Sequence, residues 1–226
     1  MKRQGVPASF LTGRTMTESE LQVAIAREDL CRYLAVCYYE PDQAFEAEGL
    51  FNNMLAAAGK VDENLVQHAE KMGREFRSTG LNDLLLDYTR LFIGPMNMLA
   101  KPYGSYWLEE EKTLMGESTM AVQALYHEAE FEMDEEFKEL PDHIAAEMEF
   151  LYLLLFRENE ARSTQDAAKL SEALEFQRRF LNANLAAWIG KFCAAVRSSA
   201  QCRFYRELAD LTEKFIHLQT ARINSR

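Results

Sequence analysis

Chemistry in this chain would have to come from a few titratable residues, and Asp142-His143 is the pair that stands out. A carboxylate beside an imidazole is the material of acid–base work. Adjacent helical residues point about 100° apart, however, so the two are poorly placed to act on each other. The pair reads in three ways: a helix-start Asp with a hydrogen-bonded core His, a ligand-binding pair, or a catalytic one. Di-iron carboxylate bundles need Glu-x-x-His on two helices. Leu65, Ala124, Leu140 and Lys214 stand three residues before the four histidines, so that motif is missing. No HExxH, Walker loop, GxGxxG or GxSxG elbow occurs. The expectation is no enzyme, no metal and no cofactor.

The remaining candidates are surfaces. Between His127 and Asp142 lie eight acids (Glu128, Glu130, Glu132, Asp134, Glu135, Glu136, Glu139 and Asp142) against Lys138 alone. Such a run is either solvated surface or a face that steers a basic partner. Upstream, Gly94-Pro95 closes an apolar helix and opens a segment rich in Met and aromatics: Met96, Met98, Tyr103, Tyr106 and Trp107. So apolar a segment must pack against the fold or against a partner. The net charge of −11 repels phosphate backbones, and nucleic acid is excluded as a partner.

The elements that would position these groups read as helices. Of 226 residues 48% are hydrophobic, and only 10 are Gly and 5 Pro. That suits helix and a sizeable core better than a turn-rich β protein. Thr17-Glu-Ser-Glu20 is a capping box opening a helix to about Tyr39, with Leu21, Ala24, Ile25, Leu30, Leu34 and Cys37 near one face. Asp42 caps a second, stopped at Gly59, and Asp62 a third, to about Arg77. A fourth covers about 82–92. Residues 93–105 are a loop. A fifth helix covers about 117–131. Pro141 suits the first turn of a sixth, with Asp142 at its positive end. That helix runs to about Arg162 and is apolar nearly all round, so it is central. Ser163 or Thr164 caps a seventh, and two more cover about 185–198 and 203–221. The expected architecture is an all-α, single-domain bundle of about nine helices over 17–226, behind a flexible leader at 1–16. No apolar run reaches membrane-span length, and no secretory signal is seen. Cys31, Cys37, Cys193 and Cys202 show no CxxC or zinc spacing, which suits reduced thiols in the cytoplasm.

Three segments together resemble the TorD-like family, the dedicated assembly chaperones of molybdenum oxidoreductases. They are Tyr88-x-x-Leu91-Phe92-x-Gly94-Pro95, Pro102-Tyr103-x-Ser105, and Pro141-Asp142-His143-Ile144 with Glu147-x-x-Phe150. Many members carry His-Leu-x-x-Trp further on; here Asn184 replaces the His and Trp188 remains. The resemblance implies a cytoplasmic chaperone without a cofactor, as a monomer or swapped homodimer. It would hold an immature (apo-form) molybdenum oxidoreductase catalytic subunit, through its twin-arginine leader peptide, until cofactor insertion is complete. The client-binding residues would be Tyr88, Leu91, Phe92, Gly94, Pro95, Tyr103, Trp107, Glu135, Glu136, Glu139, Pro141, Asp142 and His143. Two other functions stand beside it: a nucleotide-binding hydrolase using Asp142 and His143, and a helical subunit retained in a mature complex.

Overall fold

The computed structural model describes residues 16–94, 98–112, 114–134 and 136–225. The expected leader at 1–16, apart from Met16, lies outside the described residues, as do Pro95, Met96 and Glu135. The described residues form eleven α-helices and one π-helical turn, with no β-strand among them. They are α1 (Glu18–Val36), α2 (Ala44–Ala47), α3 (Leu50–Val61), α4 (Glu63–Ser78), α5 (Leu81–Tyr88), the π turn (Thr89–Ile93), α6 (Gly104–Leu108), α7 (Glu117–Glu128), α8 (Ile144–Ser163), α9 (Ala167–Ala183), α10 (Leu185–Ser199) and α11 (Arg203–Asn224).

Local chemistry sets most boundaries. The capping box at Thr17 forms in full. Asp62 and Asp166 cap α4 and α9 by accepting from backbone N–H groups. The count exceeds nine for two reasons. The expected second helix breaks at Gly49, whose φ of +72° is left-handed and open to glycine, giving α2 and α3. The loop at 93–105 gives way to α6 from Gly104. Gly59 does not stop α3, which continues to Val61. The cap of α9 is Asp166, not Ser163 or Thr164, because α8 runs on through Ser163.

α8 is the hub, packed between α1 and α9, while α11 packs on α4 and α10. Its buried face includes Met148, Phe150, Leu151 and Leu154, and only Phe156 among its large apolar residues is strongly exposed. Ile25, expected on the inner face of α1, is exposed, and Arg27 is buried in its place. The guanidinium lies 3.4 Å from Glu158 of α8 and donates to Gln219 of α11 at 2.7 Å. Such a pair offsets its own desolvation only when fully partnered. Cys31, Cys37 and Cys193 are free, buried thiols. None of the described helices is long and apolar enough to cross a membrane.

Candidate functional site

The sixth expected helix begins later than its sequence suggests. Pro141 and Asp142 lie in a turn, and α8 starts at Ile144 with His143 as its N-cap. The reason is a competing set of backbone bonds. His143 N–H donates to Leu140 O, and Ile144 N–H donates across to Pro102 O at 2.8 Å. Gly104 N–H returns to Asp142 O at 2.8 Å, and Tyr103 pairs with His143 as an antiparallel bridge. Two segments nearly forty residues apart are thus one structural unit.

Asp142 does not serve its own helix. Its Oδ2 accepts from Ser105 N–H at 2.7 Å, in the first turn of α6. The side chain is 1% exposed, so it is no open carboxylate for an incoming cation. Oδ1 of Asp142 and Oγ of Ser105 are buried beside this bond with no protein partner. Nδ1 of His143 accepts from Ala145 N–H at 3.2 Å, which fixes it as an unprotonated acceptor. The ring stands against those of Tyr103 and Phe137. Burial pushes its pKa down to about 3. Oδ2 of Asp142 and Nδ1 of His143 are thus each engaged by a backbone N–H group.

Glu147 lies one turn on. It is buried, its Oε2 accepts from Nε1 of Trp188 at 3.1 Å, and burial holds its carboxyl well above the usual range, reinforced by Asp142 and opposed by the indole bond. Gly104 makes this approach possible. A Cβ there would stand 2.9 Å from Nε1 of Trp188 and 3.1 Å from Oε1 of Glu147. Asn184, the residue in place of the family His, is mostly buried at the N-cap of α10.

The other sequence-derived candidates divide between core and surface. Leu91 and Phe92 are buried, and Phe92 meets Tyr38, Tyr88, Phe192 and Tyr205 edge-on or tilted. Tyr88 is buried and donates to Tyr38 O at 3.3 Å. These three belong to the buried core under the site. Gly94 ends the π turn with φ +41°. Trp107 is half-buried, its Nε1 bonded to Lys101 O at 2.9 Å. Tyr103 donates its hydroxyl to Glu139 at 2.5 Å, which reaches back from the acidic segment.

The surface next to this unit was only half visible in the sequence. Gln123, Tyr126, His127, Phe131, Met133 and Pro141 line a hollow of about 220 Å³. Glu132, Asp134 and Glu136 edge the adjoining open depression, which shares Met133. The missed residues are Tyr126, Phe131 and Met133. For Phe131 and Met133 the signal is local: Glu130-Phe131-Glu132-Met133-Asp134 alternates acid and apolar, the period of an extended segment with two unlike faces. The structure gives that alternation its burial, with Phe131 and Met133 half-buried and the acids exposed.

Comparison with known proteins gives the following. The family model described as nitrate reductase delta subunit matches residues 53–194. A chaperone protein TorD of Vibrio parahaemolyticus is 28% identical over 139 residues, covering 62% of this chain and 63% of that protein. The TorD of Shewanella sp. strain ANA-3 is 33% identical over 137 residues, covering 58% and 59%. That of Shewanella loihica is 28% identical over 184 residues, covering 78% and 79%. In the first two, the match spans less than two thirds of the relative's length. A solved chain from Archaeoglobus fulgidus, titled as a candidate redox enzyme maturation protein, is 20% identical, with a TM-score of 0.49 over 84% of this chain and 93% of that one.

Proposed function

The chain belongs to the TorD-like family, whose model is described as nitrate reductase delta subunit, and on that premise we propose that it is a maturation chaperone for a molybdenum oxidoreductase. It binds the immature catalytic subunit in the cytoplasm, by the twin-arginine leader, and releases it after cofactor insertion. One observation carries this reading: the apolar hollow at Tyr126, Phe131, Met133 and Pro141 lies beside Glu132, Asp134 and Glu136.

A twin-arginine leader brings fixed positive charges followed by an apolar stretch. The surface offers the complement in the same order of chemistry. Methionine at its centre suits varied apolar sequences, because the thioether side chain repacks at low cost. Micromolar binding requires about −8 kcal/mol. Burying several large side chains at about 1.5–3 kcal/mol each supplies that scale, less the cost of ordering the leader. The carboxylates contribute approach rate and selection against acidic segments more than affinity. Asp142, His143 and Tyr103 act through position. They hold the acidic segment, which Tyr103 also grips at Glu139, against the start of α8.

The test is titration of a synthetic leader peptide against the wild type and the triple variant Glu132→Lys, Asp134→Lys, Glu136→Lys. Binding should weaken at least roughly tenfold in the variant and lose most of its salt dependence. Met133→Asp should weaken it as well. Unchanged affinity in both variants removes this surface from the reading. Capture of the immature catalytic subunit in its absence would leave the chaperone role standing on another face.

A further inference from the structure

Away from that surface, α4 and α11 bring three metal-ligating side chains to one point. His68 on α4 faces Glu207 and Asp210, which are three residues apart on α11 and share its face. One donor atom from each lies within 4.8 Å of the others. Nδ1 of His68 is 2.7 Å from Oε2 of Glu207. The imidazole is 7% exposed, and its Nε2 is buried without a hydrogen-bond partner. Nδ1 is the ring nitrogen turned to the carboxylates, and Nε2 lies on the opposite edge of the ring.

The surroundings hold the carboxylates in place. Nζ of Lys71 is 3.4 Å from Oε1 of Glu207, and Nη1 of Arg197 is 3.1 Å from Oδ1 of Asp210. Each cation meets one oxygen of its carboxylate, and for Glu207 the oxygen turned to His68 is the other one. Arg197 is shared with Glu213 at 2.6 Å, so three carboxylates face two cations. The Lys71 side chain is 40% exposed and free to swing into water. The group is therefore net negative with Lys71 in place and more so without it.

We propose that His68, Glu207 and Asp210 form a zinc site that ties α4 to α11. One imidazole and two carboxylates are a donor set zinc accepts, with a fourth position left to water. Partly exposed Asp210 gives the ion a route in. A bound ion would replace the direct contact between Nδ1 of His68 and Oε2 of Glu207. Hard magnesium gains little from an imidazole and is not held.

The experiment uses the full chain, tag-free and stripped with chelator, titrated with zinc chloride and, separately, magnesium chloride. One zinc per chain is expected, with the thermal midpoint rising by roughly 5 °C at a hundredfold excess over Kd. Magnesium should give neither. Cobalt in place of zinc should give a visible absorption band that His68→Gln abolishes. Zinc affinity should fall at least about tenfold in His68→Gln and in Asp210→Asn. If the buried His68 variant does not fold, Asp210→Asn decides alone, since that side chain is partly exposed. No zinc uptake by the wild type overturns the site. So does equal affinity in wild type and Asp210→Asn, the result expected if the ion sits elsewhere, as on Cys202.

Discussion

Nε1 of Trp188 on α10 donates to Oε2 of Glu147 on α8 across 3.1 Å, and both side chains are shut off from solvent. Glycine at 104 lets α6 lie directly over that bond. The contact ties α8 to α10 under the overlying start of α6. A carboxyl so placed is favoured in its neutral form, and burial holds its pKa high.

Two substitutions at Glu147 should therefore diverge. Glu147→Gln keeps a carbonyl oxygen for the indole and no longer has to retain a proton. At pH 7 it is expected to be at least as stable as the wild type. Glu147→Ala leaves the indole N–H without a partner and opens a void, and should lose about 3 kcal/mol. Urea unfolding of the three proteins checks this. Equal losses in both variants would mean that the indole bond is not what matters.

Gly104→Ala tests the close approach. The added methyl would stand nearer Trp188 and Glu147 than packed atoms tolerate, so α6 or the indole must shift. Overpacking of this kind costs about 1–3 kcal/mol. Thermal melts should show a fall of several degrees, and Gly59→Ala, whose Cβ would meet only Val66 at 3.9 Å, should show none.

Asp87 on α5 reaches the start of α11 from the other half of the chain. Its Oδ2 accepts from Gln201 N–H at 2.8 Å and Cys202 N–H at 2.7 Å, and its Oδ1 meets Arg90 at 3.1 Å. Asp87→Ala removes all three and strands two donors and a cation. A loss of about 3 kcal/mol is expected in denaturant unfolding. Arg90→Ala, which leaves the two backbone bonds intact, should lose much less.

Legibility followed sequence distance. Thr17 and Glu20 are three residues apart, so the capping box could be read directly. Asp62 and Asn64 made an equally local cap. Asp87 and Asp142 look like ordinary helix acids, but their partners lie 114 and 37 residues away, and no periodicity encodes that. Arg27 shows the same limit: a charge breaks the apolar pattern of α1 because Glu158 and Gln219, far along the chain, complete it. Residues 102–105 and 141–144 are linked in the sequence only by the family resemblance, since the backbone bridge between them leaves no pattern in composition. Alternation at 130–134 is legible, but Phe131 and Met133 stand inside a run of charges that reads equally well as solvated surface.

The buried placement of Asp142 separates its structural effect from client binding. Asp142→Asn keeps an acceptor for Ser105 N–H and should bind a leader peptide within about threefold of the wild type, under 1 kcal/mol. Asp142→Ala should lose about 2 kcal/mol of stability through the orphaned Ser105 donor. Calorimetric titration of the folded Asn variant decides. A large loss of affinity there would mean the charge of Asp142 is felt at the surface after all.

Two buried groups near the start of α8 set opposite limits on stability against pH. His143 has an unfolded pKa near 6.5 and is pushed by burial to about 3 in the fold. Between those values the unfolded chain binds a proton that the fold refuses. Stability from this group is complete above pH 6.5 and falls on acidification, by at most about 1.4 kcal/mol per pH unit. Glu147 works the other way. Its fold-raised pKa means the folded chain keeps a proton that the unfolded chain sheds above pH 4.5, so stability falls as pH rises past that point. Glu149, also raised by burial, adds to that limb. Between pH 4.5 and 6.5 the two effects oppose, and stability should peak there and decline on both sides. His143→Asn, whose side chain also caps a helix, should flatten the acid limb; Glu147→Gln should flatten the alkaline one. Urea unfolding at about pH 4, 5.5 and 8 measures all three proteins. A wild type as stable at pH 8 as at 5.5 would show that Glu147 is ionised in the fold, with water reaching the bond to Trp188.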